Sequence, residues 1–166
     1  MTVLADRPEG FRRVAQALAE RGHRHAPRWL DVSARTCAEA ADALGVQVGQ
    51  IAKSVIFRRR SDGVAVLVVA SGDRRVDEGK VAALVGQGPD DLGRADAAFV
   101  KQQTGFSIGG VSPLAHARPP VVLVDRELFR FGEIWAAAGH PNGVFCLSPD
   151  ELLALTGAPA ADVVQA

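Results

Sequence analysis

Residues 51–70 read IAKSVIFRRRSDGVAVLVVA, and the rest of the chain can be understood outward from them. Ile51 to Arg59 is rich in β-branched and aromatic residues, and Val64 to Ala70 is apolar throughout. Between them, Ser61-Asp62-Gly63 contains the Asp-Gly pair that is typical of a hairpin turn. The stretch therefore predicts two antiparallel strands.

The residues on either side of this hairpin alternate between helical and extended patterns without regular βαβ units. This mixture favours an α+β fold, which we expect to be a single domain over residues 1–166 with a helical extension in residues 1–22. The predicted helices are Glu9–Glu20, Ser33 or Thr36 to Leu44, Asp77–Val85, Ala95–Gln103 and Ser148–Gly157, and the further strands are Arg28–Val32, Val121–Asp125, Glu133–Ala138 and Gly143–Leu147.

Composition excludes several classes of protein. Hydrophobic residues make up 48% of the 166 residues and charged residues 23%, as in ordinary globular proteins. No apolar run approaches the roughly 20 residues of a membrane span, and the first residues lack the apolar region of a signal peptide, so we expect no membrane. Cys37 and Cys146 show no metal-ligand or redox spacing and are typical of a reducing compartment, so we expect a cytoplasmic protein. Nineteen basic residues balance nineteen acidic ones, which disfavours a protein that wraps a long nucleic acid.

Lys53 is the first candidate for a functional role. With period-two alternation it shares a strand face with Val55 and Phe57, where an unpaired ammonium would be costly. It could line a pocket and contact a phosphate, carboxylate or carbonyl group. Equally, its stem could cover an edge while its head reaches water.

Two glycine-containing segments are the next candidates. Residues 104–113, TGFSIGGVSP, could aim free backbone amides at an anion or a carbonyl oxygen, or could simply connect two elements. Residues 139–143, GHPNG, form a turn in which His140 could act as a general base or hydrogen-bond donor. Asp125, at the end of an apolar strand, could serve a ligand or cap the following helix.

Other chemistry finds little support. The two cysteines and four histidines show no metal-ligand spacing, so we expect no metal and no organic cofactor. The sequence offers little for nucleophilic catalysis, so a hydrolase would have to place water and polarise a carbonyl. The arginine runs at residues 58–60 and 74–75 are solvated strand ends or sites for a few phosphates.

Taken in order, these segments resemble the YbaK/prolyl-tRNA-synthetase-associated editing domain. The resemblance rests on Ala52-Lys53-Ser54, on residues 104–106 with 109–113, on Val122 to Asp125, and on residues 139–142, and it covers about His23 to Gly157. It implies a mixed, mostly antiparallel, partly barrel-like sheet with flanking helices. It also implies hydrolysis of the ester that joins a wrong amino acid to transfer RNA.

The resemblance further implies which residues form the site. Lys53 would contact the terminal phosphate or the carbonyl, and Gly109 and Gly110 would supply backbone donors. The expected substrate-binding residues are Phe106, Ser112, Pro113, Asp125, Gly139, His140, Pro141 and Asn142.

The leading hypothesis is a trans-acting aminoacyl-tRNA deacylase. Its substrate would be a small amino acid of the Ser/Thr, Ala or Cys class on tRNA(Pro) or a related tRNA, gripped at the acceptor end with its 3′-aminoacyl adenosine, and a synthetase could be a partner. A synthetase pocket separates amino acids that differ by one methylene by only about 1–3 kcal/mol, which is why a second hydrolytic site is useful. The alternatives are a non-catalytic aminoacyl- or nucleotide-binding module that docks to a synthetase and a DNA-associated regulator.

Overall fold

The computed structural model describes residues 6–166, which form eight strands and five α-helices. Expectations for residues 1–5, part of the predicted extension, lie outside the described residues. In chain order the elements are α1 (Glu9–Glu20), β1 (Arg28–Trp29), α2 (Cys37–Leu44), β2 (Ile51–Arg59), β3 (Ala65–Ser71), α3 (Glu78–Val85), β4 (Leu92–Arg94), α4 (Ala97–Thr104), β5 (Val121–Asp125), β6 (Ile134–Ala137), β7 (Gly143–Leu147), α5 (Pro149–Thr156) and β8 (Ala160–Ala161).

All eight strands belong to one mixed sheet, and the α+β prediction is confirmed. The main path is β1-β7-β6-β2-β3-β5-β8, with β4 pairing to β2 off that path. The pairs β2–β6, β3–β5 and β5–β8 are parallel, whereas β1–β7, β6–β7, β2–β3 and β2–β4 are antiparallel. The two end strands, β1 and β8, do not pair with each other, so the sheet is not closed into a barrel.

The predicted hairpin forms β2 and β3. Its register runs from Ala52 opposite Ser71 to Arg58 opposite Ala65. Every residue of β3 is buried, because β3 lies inside the sheet and has apolar layers on both of its faces. The strand pair predicted from residues 51–70 thus lies in the middle of the sheet.

The other edge of β2 is only partly occupied. Near its start, Ile51 and Ala52 pair with β6, and near its end, Phe57 to Arg59 pair with β4. No strand within residues 6–166 pairs with residues 53–56 on this edge. β2 therefore carries a four-residue opening between the two shorter strands.

Helix α1 packs directly on the sheet. Phe11, Val14 and Leu18, which recur at helical spacing, are at most 4% exposed and belong to the largest apolar cluster, together with Phe106 and Phe145. The described part of the N-terminal segment is thus built into the core and does not form an appendage.

The structure contains two short strands that the sequence did not predict. β4 has three residues and β8 has two, too few for a period-two pattern to be recognised. Both are defined by their pairing with β2 and β5, segments that are distant in sequence.

Candidate active site at an open strand edge

A cavity of about 290 Å³ lies at the opening on the edge of β2. Its wall includes the consecutive residues 51–56, the end of β6, and Ala95 just after β4. Opposite these lie parts of the glycine loop, the turn that contains His140, and the segment leading into α2. The full lining is Ala34, Arg35, Thr36, Cys37, Ala40, Ile51, Ala52, Lys53, Ser54, Val55, Ile56, Ala95, Val100, Ile108, Gly109, Val111, Trp135, Ala136, Ala137, His140, Pro141, Gly143 and Val144.

Lys53 lines this cavity and is partly buried. Its Nζ donates a hydrogen bond to the carbonyl oxygen of Arg74, in the loop after β3, at 2.5 Å. An ammonium group has three donors, so two remain for a ligand. The sequence left two interpretations open for this lysine. Its position in the fold agrees with the one in which it lines a pocket.

The charge of the cavity is positive. Lys53 and Arg35 are cations in its wall, and none of the described residues that line it is an aspartate or a glutamate. Within residues 6–166 no carboxylate approaches Lys53 or Arg35 to within 4.0 Å. Unpaired cations in a partly enclosed site attract a phosphate or a polarised carbonyl oxygen.

The two glycines predicted to supply amides differ in the structure. Gly109 lines the cavity and has φ of +96°, a conformation that favours glycine. The N–H of Gly110 donates to the carbonyl oxygen of Ser107 at 3.1 Å, which closes the loop. The Gly110 amide is therefore committed within the loop, and of the pair only Gly109 lies at the cavity.

His140 is held in one orientation. Its Nδ1 accepts a hydrogen bond from the backbone N–H of Asn142 at 3.0 Å, and its ring lies against Trp29 with the ring centres 4.8 Å apart. Burial, and then the nearby charge of Arg35, lower the pKa of His140. A neutral imidazole that accepts on Nδ1 carries its proton on Nε2, so this geometry suits a hydrogen-bond donor better than a general base.

Of the other predicted substrate-binding residues, Pro141 lines the cavity, and the rest do not. Phe106, Ser112 and Pro113 are buried in the core, and Gly139 packs against Gly10. The side chain of Asn142 donates to the carbonyl oxygen of Leu30 at 2.9 Å. These residues therefore make their contacts within the protein and not with the cavity.

Asp125 is also fully buried, and its carboxylate holds two backbone N–H groups. One carboxylate oxygen accepts from the N–H of Ser71 at 3.0 Å, and the other accepts from the N–H of Glu127 at 2.9 Å. The second bond caps the 3₁₀ turn at Arg126–Arg130, which is the capping use that the sequence had offered as one of two readings.

Most lining residues were not among the predicted site residues, and four of them have polar or aromatic side chains of interest. Arg35 lies just before α2, Cys37 is its first residue, and Trp135 comes from β6. Ser54 follows Lys53 directly in the Ala52-Lys53-Ser54 segment, and this position was the one sequence feature that could have indicated a place in the site. No sequence feature indicated Arg35, Cys37 or Trp135, because they reach the cavity only when distant segments of the chain come together.

Two searches of the described residues bear on other functions. Among residues 6–166 there is no group of three or more His, Cys, Asp and Glu side chains placed to hold a metal ion. No helix in this part of the chain has the length and apolar character required to cross a membrane.

The fold and the site together define an α+β protein with a cationic cavity at an open strand edge, and comparisons with known proteins extend this description. The family model of the aminoacyl-tRNA editing domain matches residues 31–155. The chain is 38% identical to the protein YwhH of Bacillus subtilis strain 168 over 123 residues, which are 74% of this chain and 76% of YwhH. It is 31% identical over 94 residues to a proline–tRNA ligase of Thermoanaerobacter sp. strain X514, a match that covers 57% of this chain and 16% of the ligase.

The fold has a closely similar solved counterpart. The crystal structure of a "putative trans-editing enzyme for prolyl tRNA synthetase" superposes with a TM-score of 0.88 at 42% identity, covering 97% of this chain and all of that one. The family model spans most of the chain, so this protein belongs to the aminoacyl-tRNA editing domain family. The resemblance found in the sequence is confirmed.

Proposed function

We propose that this protein is a trans-acting aminoacyl-tRNA deacylase that removes a mischarged small amino acid from tRNA(Pro) or a related tRNA. The observation that carries the proposal is the cavity in which Lys53, Gly109 and His140 meet although they come from three separate segments. Family membership and the likeness to a part of proline–tRNA ligases support the choice of substrate.

The size and charge of the cavity agree with this substrate. A volume of about 290 Å³ is at the small end of ligand sites and suits an aminoacyl group with its ribose better than a large side chain. The balanced net charge of the chain agrees with contact limited to the acceptor end. The cytoplasm, where charged tRNA is made, is the matching compartment.

The chemistry requires a polarised ester and a placed water. In the proposed reaction, the Lys53 ammonium and the Gly109 amide stabilise the negative charge that develops on the carbonyl oxygen as water attacks. The bond to the ribose oxygen then breaks, and that oxygen takes up a proton. The products are the free amino acid and tRNA with a free 3′-terminal hydroxyl.

Deacylation measured on a panel of mischarged tRNAs tests the proposal. Purified protein should release at least one small amino acid from tRNA(Pro) and leave correctly charged prolyl-tRNA intact. Absence of release across the panel would contradict the proposal. Binding of mischarged tRNA without release would instead select the alternative of a non-catalytic binding module.

A further inference from the structure

The backbone of Ser54 faces the opening on the edge of β2. The N–H of Arg59 donates to Val64 on the β3 side at 2.9 Å, and the N–H of Arg60 donates to Asp91 on the β4 side at 2.6 Å. Backbone groups of successive residues in a strand point to opposite edges. The even-numbered residues of β2 therefore direct both their N–H and their C=O groups to the edge where β4 and β6 pair. Among these residues, Ser54 lies nearest the middle of the opening at residues 53–56.

The cavity occupies the place of a missing strand. Side chains of successive strand residues point to opposite faces, so a cavity above one face would contact alternate residues. Instead, the consecutive residues 52–56 all line it. Ala137 at the end of β6 and Ala95 after β4 bound it along the same edge. The space consequently runs along the edge of β2.

A second observation marks the same residue. The Oγ atom of Ser54 is buried and has no hydrogen-bond partner among the described residues. A buried hydroxyl without a partner is costly in a folded protein, so one in a cavity wall calls for a functional explanation. Ser54 thus combines a backbone donor and acceptor directed to the open edge with a buried, unpartnered hydroxyl in the same residue of the cavity wall.

We propose that the backbone of Ser54 pairs with the aminoacyl group of the substrate as it would with one residue of an antiparallel strand. We propose further that Ser54 selects an amino acid with a hydroxyl side chain. The inference rests on the proposed function and names the substrate class of that site. The α-ammonium of the aminoacyl group donates to the carbonyl oxygen of Ser54. The N–H of Ser54 donates to the ester carbonyl oxygen, as in a hydrogen-bonded antiparallel pair.

This pairing sets the direction of the substrate. An antiparallel partner of β2 runs from the β4 end towards the β6 end as it passes from its amino group to its ester. The ribose then lies beside Lys53, towards the β6 end of the opening. The same pairing therefore places the ester next to the ammonium that polarises it.

The pairing also sets the position of the amino-acid side chain. Residues directly opposite in an antiparallel pair present their side chains on the same face. The substrate side chain then lies beside the Ser54 hydroxyl, on the face of Ala52 and Ile56, where Val100 and Val111 pack. A serine or threonine on the substrate supplies a hydrogen-bond partner for the Ser54 hydroxyl, whereas an alanine leaves that hydroxyl unpaired.

The first test compares seryl- and alanyl-tRNA(Pro) as substrates. We expect the protein to prefer seryl-tRNA by about tenfold or more in kcat/KM, and Ser54→Ala to reduce this preference to about twofold or less. Ser33→Ala is the matched control, because Ser33 is exposed and does not line the cavity. An unchanged preference in folded Ser54→Ala would overturn the assignment of the side-chain subsite.

The second test observes the backbone directly. A hydrolysis-resistant analogue, 3′-deoxy-3′-serylamido-adenosine, should slow amide hydrogen exchange at Ser54 by about tenfold or more, because its N–H gains a partner. Val55 is the internal reference, since its N–H is directed to β3. Bound analogue with unchanged exchange at Ser54 would overturn the strand-like pairing.

The outcomes separate this inference from the proposed function. Deacylation with no effect at Ser54 in either test would refute the inference and leave the deacylase proposal standing. A protein that neither hydrolyses any mischarged tRNA nor binds the analogue would refute both.

Discussion

A Cβ atom placed on Gly110 would lie 2.7 Å from the Cα of His140. Two loops thirty residues apart in sequence therefore touch backbone to backbone, and the contact has no room for a side chain. Both loops contribute to the cavity wall, through Gly109 and His140, so this contact joins two parts of the site.

Gly110→Ala tests this contact. The added methyl group meets backbone atoms that cannot rotate away, so we expect a lower melting temperature and at least a tenfold loss of deacylation, of the order produced by misplacing site groups by an ångström. Gly132→Ala is the matched control, because a Cβ there meets nothing within 4 Å. Equal behaviour of the two variants would contradict the role of the contact.

Lys53→Ala tests the proposed polarising group. Loss of the ammonium should lower kcat/KM for deacylation by about 10²–10³-fold, as removal of one electrostatic stabiliser commonly does. Lys80→Ala is the control, since Lys80 pairs with Asp162 and does not line the cavity. Full activity of Lys53→Ala in the deacylation assay would remove Lys53 from the mechanism.

Asp125→Ala separates a supporting residue from a substrate-binding one. Without the carboxylate, the N–H of Ser71 loses its partner inside the protein, which costs about 1–3 kcal/mol of unfolding free energy. Chemical denaturation should show this loss, whereas KM of the folded fraction should change little. A rise in KM with unchanged stability would restore Asp125 to the substrate site.

The pH dependence of His140 provides a further test. Burial and Arg35 lower the pKa of His140 from its ordinary value of 6.5, so the neutral ring, and its bond from Asn142, should persist below that pH. Protonation of Nδ1 removes the hydrogen bond from Asn142, so deacylation should fall as the pH drops through the lowered pKa of His140. Proton NMR of the ring measures the midpoint, and a midpoint at or above 6.5 would contradict the environment described.

Glu151 should contribute to acid stability. The hydrogen bond from Arg24 and other local contacts lower the pKa of Glu151 from 4.5 to about 2. Stabilisation from such a group is fully present above the unfolded pKa of 4.5 and is lost as pH falls towards 2. Thermal melting should therefore show a steeper decline over this interval in the wild type than in Glu151→Gln, which keeps an amide oxygen for the capping box with Ser148.

Asp150→Asn is the control for that experiment. Asp150 is exposed and lies beside Glu151 in the first turn of α5, but it makes no ion pair among the described residues. Its substitution should leave the slope of stability against pH unchanged. If both variants flatten the slope equally, the helix dipole explains the effect better than Arg24 does.

Local patterns in the sequence predicted a large part of this fold. The alternation and turn in residues 51–70 predicted the central hairpin. Ser148, and Thr36 as one of two candidate caps, marked the starts of two helices. The order of the short motifs around Lys53, Gly109 and His140 was sufficient to identify the family. Such features depend on residues a few positions apart, so the chain alone determines them.

Only the tertiary structure showed which groups beyond Lys53, Gly109, His140 and Pro141 face the cavity. The opening on β2 exists because β6 and β4 each pair with only part of the strand, and they follow it by some eighty and forty residues. The same long-range pairing brings Arg35 and Ser54 into the wall and places Asp125 in the core. Pairing between distant segments leaves no periodic signal in either segment, which is why these positions emerged only from the folded chain.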